Sequence, residues 1–181
     1  RRQRQMCIRD RLKYRSFKAR SANNFIFYPY LLKEYRNRWF VYGVRGNGRI
    51  LQNLALDRIQ SLEVLPQEHY IKNTFFDPNT FFDDLVGVTK NSGSVAEKIG
   101  FKVAAAEAPY IITKPIHRSQ QVVERLADGS VILEIEVVIN HELERVFFGY
   151  AEGIQVLYPK TLVELMGRKL KKAAEQYTHS K

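Results

Sequence analysis

The side chains best suited to chemistry in this 181-residue chain are arginines set among tyrosines in its first third. Arg38, Arg45, Arg49 and Arg58 each carry a planar guanidinium whose fixed fork of donors matches the oxygens of a phosphate. Arg38 precedes Trp39, and alternation along a strand sends the two side chains to opposite faces. Arg45 and Arg49 flank Gly46-Asn47-Gly48, a turn signal. Arg58 follows Asp57. The pair reads either as an arginine held by its neighbour for a ligand or as a structural bridge across a turn. Asp57 would repel a phosphate, so its part is to orient.

Tyr14, Tyr28, Tyr30, Tyr35 and Tyr42 crowd the same segment. Nucleobases stack on exposed aromatic rings at roughly 1–3 kcal/mol each, but aromatics at strand spacing also pack across strands. Trp39 reads as core, while Tyr30 and Tyr42 fit packing and a ligand surface equally. Farther along, His117, Ser119 and Gln120 read either as a ligand-contacting or inter-subunit loop, or as a loop stitched by its own hydrogen bonds. His117 stands too far in sequence from His69, His141 and His179 to suggest a metal set. His141-Glu142-Leu143-Glu144 lacks the second histidine of a zinc-protease helix. No Gly-x-Ser-x-Gly elbow, phosphate-binding glycine loop or dinucleotide fingerprint occurs. Neither catalysis, a cofactor nor a metal is expected.

The formal charge is +10, and residues 1–11 hold five arginines against one aspartate, so +4 falls there and +6 on the remainder. That balance suits a polyanion binder or a merely soluble basic surface. Residues 1–11 show neither alternation nor a cap and look like an adapter-derived, non-native segment, so Cys7 is given no role. A lone cysteine forms no internal disulfide. Neither a signal peptide nor a run of 18 apolar residues is present, which points to a cytoplasmic protein without a membrane partner.

The elements that must position these residues fall into two groups. In 12–65, five short strands are expected: Phe25–Tyr28 ended by Pro29, Tyr30–Tyr35, Arg38–Val44, Ile50–Leu56 and Ser61–Leu65. Strands this short call for a small curled sheet or barrel. Residues 66–98 read as a linker in which Asp77-Pro78-Asn79 starts a short helix. Residues 99–181 read as an α+β unit. Its strands are Ile99–Ala105, Ser119–Arg125, Val131–Ile139 and Ile154–Leu157. A short helix spans Glu107–Thr113, another capped by Asn140 spans His141–Phe148, and an amphipathic helix spans Leu162–Tyr177. Such a unit resembles a small split βαβ sandwich.

Residues 12–178 resemble a known pair of domains. Tyr28-Pro29-Tyr30-Leu31-Leu32-Lys33-Glu34-Tyr35, then Arg38-Trp39-Phe40, then Ala55-Leu56-Asp57-Arg58-Ile59 resemble a WYL domain, with Trp39-Phe40-Val41 in place of the Trp-Tyr-Leu strand. Phe82-Asp83-Asp84-Leu85-Val86-Gly87-Val88, Lys114-Pro115-Ile116-His117-Arg118-Ser119-Gln120, Phe148-Gly149-Tyr150-Ala151-Glu152 and Tyr158-Pro159-Lys160-Thr161-Leu162 are similar to the extension that follows it. The resemblance implies an α+β chain, an Sm-like (SH3-like) barrel and then the sandwich. It implies the effector-sensing and oligomerising region of a bacterial transcriptional regulator. The ligand would be a nucleic acid or nucleotide, single-stranded DNA among the candidates. A homodimer is implied, with operator DNA contacted only through a missing N-terminal helix-turn-helix domain. Arg58 is the arginine of the ligand surface in that family, and only the resemblance gathers Arg38, Arg45 and Arg49 around it as a basic rim. The other readings are a structural or dimerising module with a vestigial pocket, and an RNA-binding Sm-like protein.

Overall fold

A computed structural model describes residues 9–46, 50–65, 70–91 and 93–178. It divides into two compact units, one up to Asp83 and one from Asp84. No helix among the described residues is long and apolar enough to cross a membrane. The adapter-like reading of residues 1–8, the Gly46–Gly48 turn beyond Gly46, and His69 and His179 lie outside the described residues.

The first unit is a five-stranded antiparallel sheet of β1 (Arg9–Tyr14), β2 (Asn23–Tyr35), β3 (Arg38–Arg45), β4 (Leu51–Ala55) and β5 (Ile59–Leu65), in the order β4-β3-β2-β1-β5. Arg9, Asp10 and Arg11 are thus part of an inner strand, paired on both sides. The expected closed barrel is not formed: among the described residues β4 and β5 stay outer strands that do not pair. The chain passes between them through a 3-10 turn, Leu56–Arg58, whose closing bond runs from Ile59 N–H to the Leu56 carbonyl instead of extending a ladder.

Pro29 does not end a strand, contrary to expectation, and β2 runs straight through it. Pro29 pairs with Gly43, and the register shifts between Pro29 and Leu31, so Tyr30 is the extra residue of a bulge. A proline, having no N–H, is tolerated at such an irregularity. Gly43 has no substitute here, because a Cβ would collide with the Tyr28 carbonyl oxygen. Arg36 and Asn37 both take positive φ in the two-residue turn to β3, as a tight hairpin requires.

Both faces of this sheet are covered. Leu12, Phe27, Val41 and Leu54 pack on one. On the other, Tyr28, Tyr30 and Val44 meet Tyr70, Ile71 and Phe76, while Phe81 and Phe82 stand edge-on to Tyr42. The helix expected at Asp77-Pro78-Asn79 is a hydrogen-bonded turn, in which the Asp77 side chain accepts from Asn79 N–H and its carbonyl from Phe81 N–H. Asp10 is buried on β1 opposite Phe27 and Val64, and desolvation raises its pKa.

The second unit has four antiparallel strands in the order β7-β8-β6-β9. They are β6 (Glu97–Val103), β7 (Gln121–Arg125), β8 (Val131–Val137) and β9 (Ile154–Tyr158). Helices α1 (Ala108–Thr113), α2 (His141–Gly149) and α3 (Lys160–Thr178) complete it. The element order β-α-β-β-α-β is that of a split βαβ sandwich, and the chain as a whole is α+β. Ile99, Phe101, Leu133, Ile135, Leu143 and Phe147 form its centre. On α2, Asn140 caps the helix by accepting from Leu143 N–H at 2.9 Å. The same side chain donates to the carbonyls of Val86 and Thr89, which ties residues 86–89 to the helix start. Of the apolar stripe on α3, Leu162 and Met166 are buried, whereas Leu170 and Tyr177 are exposed.

Candidate nucleic-acid interface

The 3-10 turn carries Arg58 because three residues must lead the chain from β4 to β5, and Asp57 and Arg58 are the two of them with charge. Asp57 does not orient Arg58. Its carboxylate pairs at 3.2 Å with Nε of Arg38, the first residue of β3. Both groups are about half exposed, so the pair contributes little to stability and mainly fixes the position of Arg38. Arg58 instead lays its guanidinium on the ring of Phe17, 4.2 Å from the centroid. Its Nε is buried without a hydrogen-bond partner. Its backbone carbonyl accepts from Arg15 N–H at 3.2 Å, which pins the β1–β2 loop to the turn. Phe17, Arg58, Asp57 and Arg38 therefore form one connected surface.

The other candidates are placed as follows. Arg45 is the last residue of β3 and Arg38 the first, so they lie on opposite faces, separated by roughly 20 Å of strand. Arg45 sits over the Phe25 ring at 4.1 Å. Arg49 lies outside the described residues. The structure thus joins Arg38 to the Arg58 turn and leaves Arg45 with a different partner. Trp39, expected in the core, is 47% exposed. It opens β3 next to the hairpin turn, beyond the inward row that starts at Val41. Tyr30 and Tyr42 are only 4% and 2% exposed, so packing occupies them. The Tyr42 hydroxyl accepts from Asn53 Nδ2 at 3.3 Å.

In the second unit, His117, Ser119 and Gln120 are brought together by bonds within their own loop. His117 Nδ1 lies 2.8 Å from Ser119 Oγ and accepts from Ser119 N–H. Ser119 Oγ also accepts from Glu136 N–H. Gln120 accepts from Ile116 N–H and donates to the Ile111 carbonyl. These bonds engage His117 Nδ1, Ser119 Oγ and both polar atoms of the Gln120 amide.

Phe17 and its neighbours Arg15, Lys18 and Arg20 were not singled out by sequence reasoning. A signal for them was present: a lone phenylalanine among three cations, in a stretch free of acidic residues from Arg11 to Lys33.

Two family models match the chain: the WYL domain over residues 8–64 and the WCX domain over residues 96–174. No curated protein matches it. Among solved structures, proteasome accessory factor B/C (PafBC) of Arthrobacter aurescens is similar at 16% identity and a TM-score of 0.38, over 94% of this chain and 25% of that one. A CRISPR Cas-related protein is similar at 12% identity and a TM-score of 0.53, over 94% of this chain and 48% of that one. The likeness to the second is one of fold, and this chain spans about half of its length or less in both cases.

Proposed function

Because this chain consists of a WYL domain followed by a WCX domain, we propose that it is the effector-sensing and oligomerising region of a bacterial transcriptional regulator. In this reading the WYL unit binds a nucleic-acid or nucleotide-like effector, and binding controls a helix-turn-helix domain of the same regulator. The observation that carries the proposal is the connected surface of Arg38, Asp57, Arg58 and Phe17, in which the Arg58 guanidinium lies on an exposed ring and a second guanidinium is held beside it by Asp57. Phosphate and base are the two chemistries that such a surface meets together. The net charge of +10 favours an anionic partner. Oligomerisation, as a homodimer, is supported by α3, whose apolar stripe continues through Leu170 to Tyr177 with both exposed.

Binding of short oligonucleotides and cyclic nucleotides, followed by fluorescence anisotropy at several salt concentrations, tests the proposal. Arg58→Ala is expected to weaken binding by roughly 1–3 kcal/mol. The slope of log affinity against log salt should shrink by about one unit or less. Arg58→Lys recovers part of the loss, since an ammonium lacks the planar fork. Unchanged binding in an Arg58→Ala protein with an unchanged melting temperature removes Arg58 from the site. A folded wild-type chain that binds none of these ligands refutes the sensing role.

A further inference from the structure

The ring of Phe17 is 76% exposed, an unusual place for phenylalanine in a loop with this little apolar company. The loop has a defined shape: Ala19 N–H donates to the Ser16 carbonyl at 3.0 Å, and Arg15 N–H is tied to Arg58. The Arg58 guanidinium rests against the ring and restricts its tilt. On either side stand Arg15, Lys18 and Arg20, and among the described residues no ion pair neutralises any of them. A flat apolar surface between uncompensated cations suits a ligand that alternates planar rings with phosphates.

We propose that the β1–β2 loop is a stacking arm, in which Phe17 receives an unpaired nucleobase while Arg15, Lys18 and Arg20 hold the phosphates passing beside it. The inference rests on the nucleic-acid reading given above and adds the loop and the ring that would tell a single strand from a duplex. A duplex keeps its bases stacked on each other and could use only the cations. A single strand uses the ring as well. Phe17 therefore sets the preference for single strands, and the cations set the affinity for any polyanion.

The test uses the full chain with a fluorescein-labelled deoxythymidine 10-mer, and with heparin as a polyanion that has no bases. Phe17→Ala should weaken binding of the 10-mer about ten-fold, the size of one lost base–aromatic stack. It should leave the salt slope and heparin binding as they are. Phe17→Trp should restore affinity, because the platform is replaced by a larger one. Lys18→Gln should differ from Phe17→Ala in lowering the salt slope and in weakening both ligands. Equal binding of the 10-mer by wild type and Phe17→Ala overturns the stacking role alone. So does an equal loss on heparin, which would make Phe17 a support for the cations. Failure of the folded wild-type chain to bind the 10-mer overturns this inference, and binding of a nucleotide in its place would leave the sensing reading standing.

Discussion

The hydroxyl of Tyr42 receives a hydrogen bond from Asn53, whereas that of Tyr30 is buried with no such partner. Burial first, and then the neighbouring Tyr70 and Tyr28, push the Tyr30 pKa up to about 12. The phenol stays neutral at any physiological pH, and its desolvated oxygen is a cost that the folded state carries. Removing it by Tyr30→Phe should leave stability unchanged or raise it by up to about 1 kcal/mol. Tyr42→Phe removes the bond from the Asn53 amide and should lower stability by about 1 kcal/mol. Urea denaturation of the two variants distinguishes them, and a clear loss in Tyr30→Phe would mean that its hydroxyl has a partner after all. Nothing in the sequence separates these two tyrosines. Both sit in aromatic strands, and what differs is whether an amide from β4 reaches the hydroxyl, which depends on register. Arg58 was legible as a chemical group, but its true neighbour was not, since Phe17 lies far from it in sequence.

Helix α2 shows how much one cap can organise. Asn140 accepts from Leu143 N–H and donates to the Val86 and Thr89 carbonyls, so three backbone groups depend on a single amide. Asn140→Ala should cost about 3 kcal/mol, one part for the lost cap and the rest for two stranded carbonyls. Asn140→Ser keeps an acceptor at the cap and should recover about 1 kcal/mol of this. Thermal or chemical melts check the order, and equal stability of the alanine and serine variants would contradict it. The cap was readable from sequence, because Asn before an apolar-periodic run is a local signal. The bonds to Val86 and Thr89 were not, since they span more than fifty residues. Strand β2 failed in the opposite way. A local rule, that proline stops a strand, was overridden by Gly43 on the neighbouring strand, whose missing side chain makes room for the bulge.

At the scale of the molecule, the α+β class and most elements of the second unit followed from periodicity and turn residues. The open first sheet did not, because whether β4 and β5 pair depends on the path of the three-residue turn between them, and residue types alone do not set that path. Residues 66–98, read as one linker, are divided between the two units. Tyr70, Ile71, Phe76, Phe81 and Phe82 cover the first sheet. Asp84 accepts from Val138 N–H and pairs with Lys90 in the second unit. The family matches end at residue 64 and resume at 96, so residues 65–95 belong to neither. For anyone joining such domains to other proteins, that makes the edges of the family matches the wrong places to cut. A chimera joined after residue 65 would strip Tyr28, Tyr30 and Tyr42 of their aromatic cover, and one joined before residue 96 would leave Asn140 without the carbonyls it holds. The junction between Asp83 and Asp84 leaves each half with its own contacts. Chimeras crossed there should express as soluble protein at higher yield than chimeras crossed at 65 or 96, and equal yields at all three junctions would show that the shared stretch is dispensable.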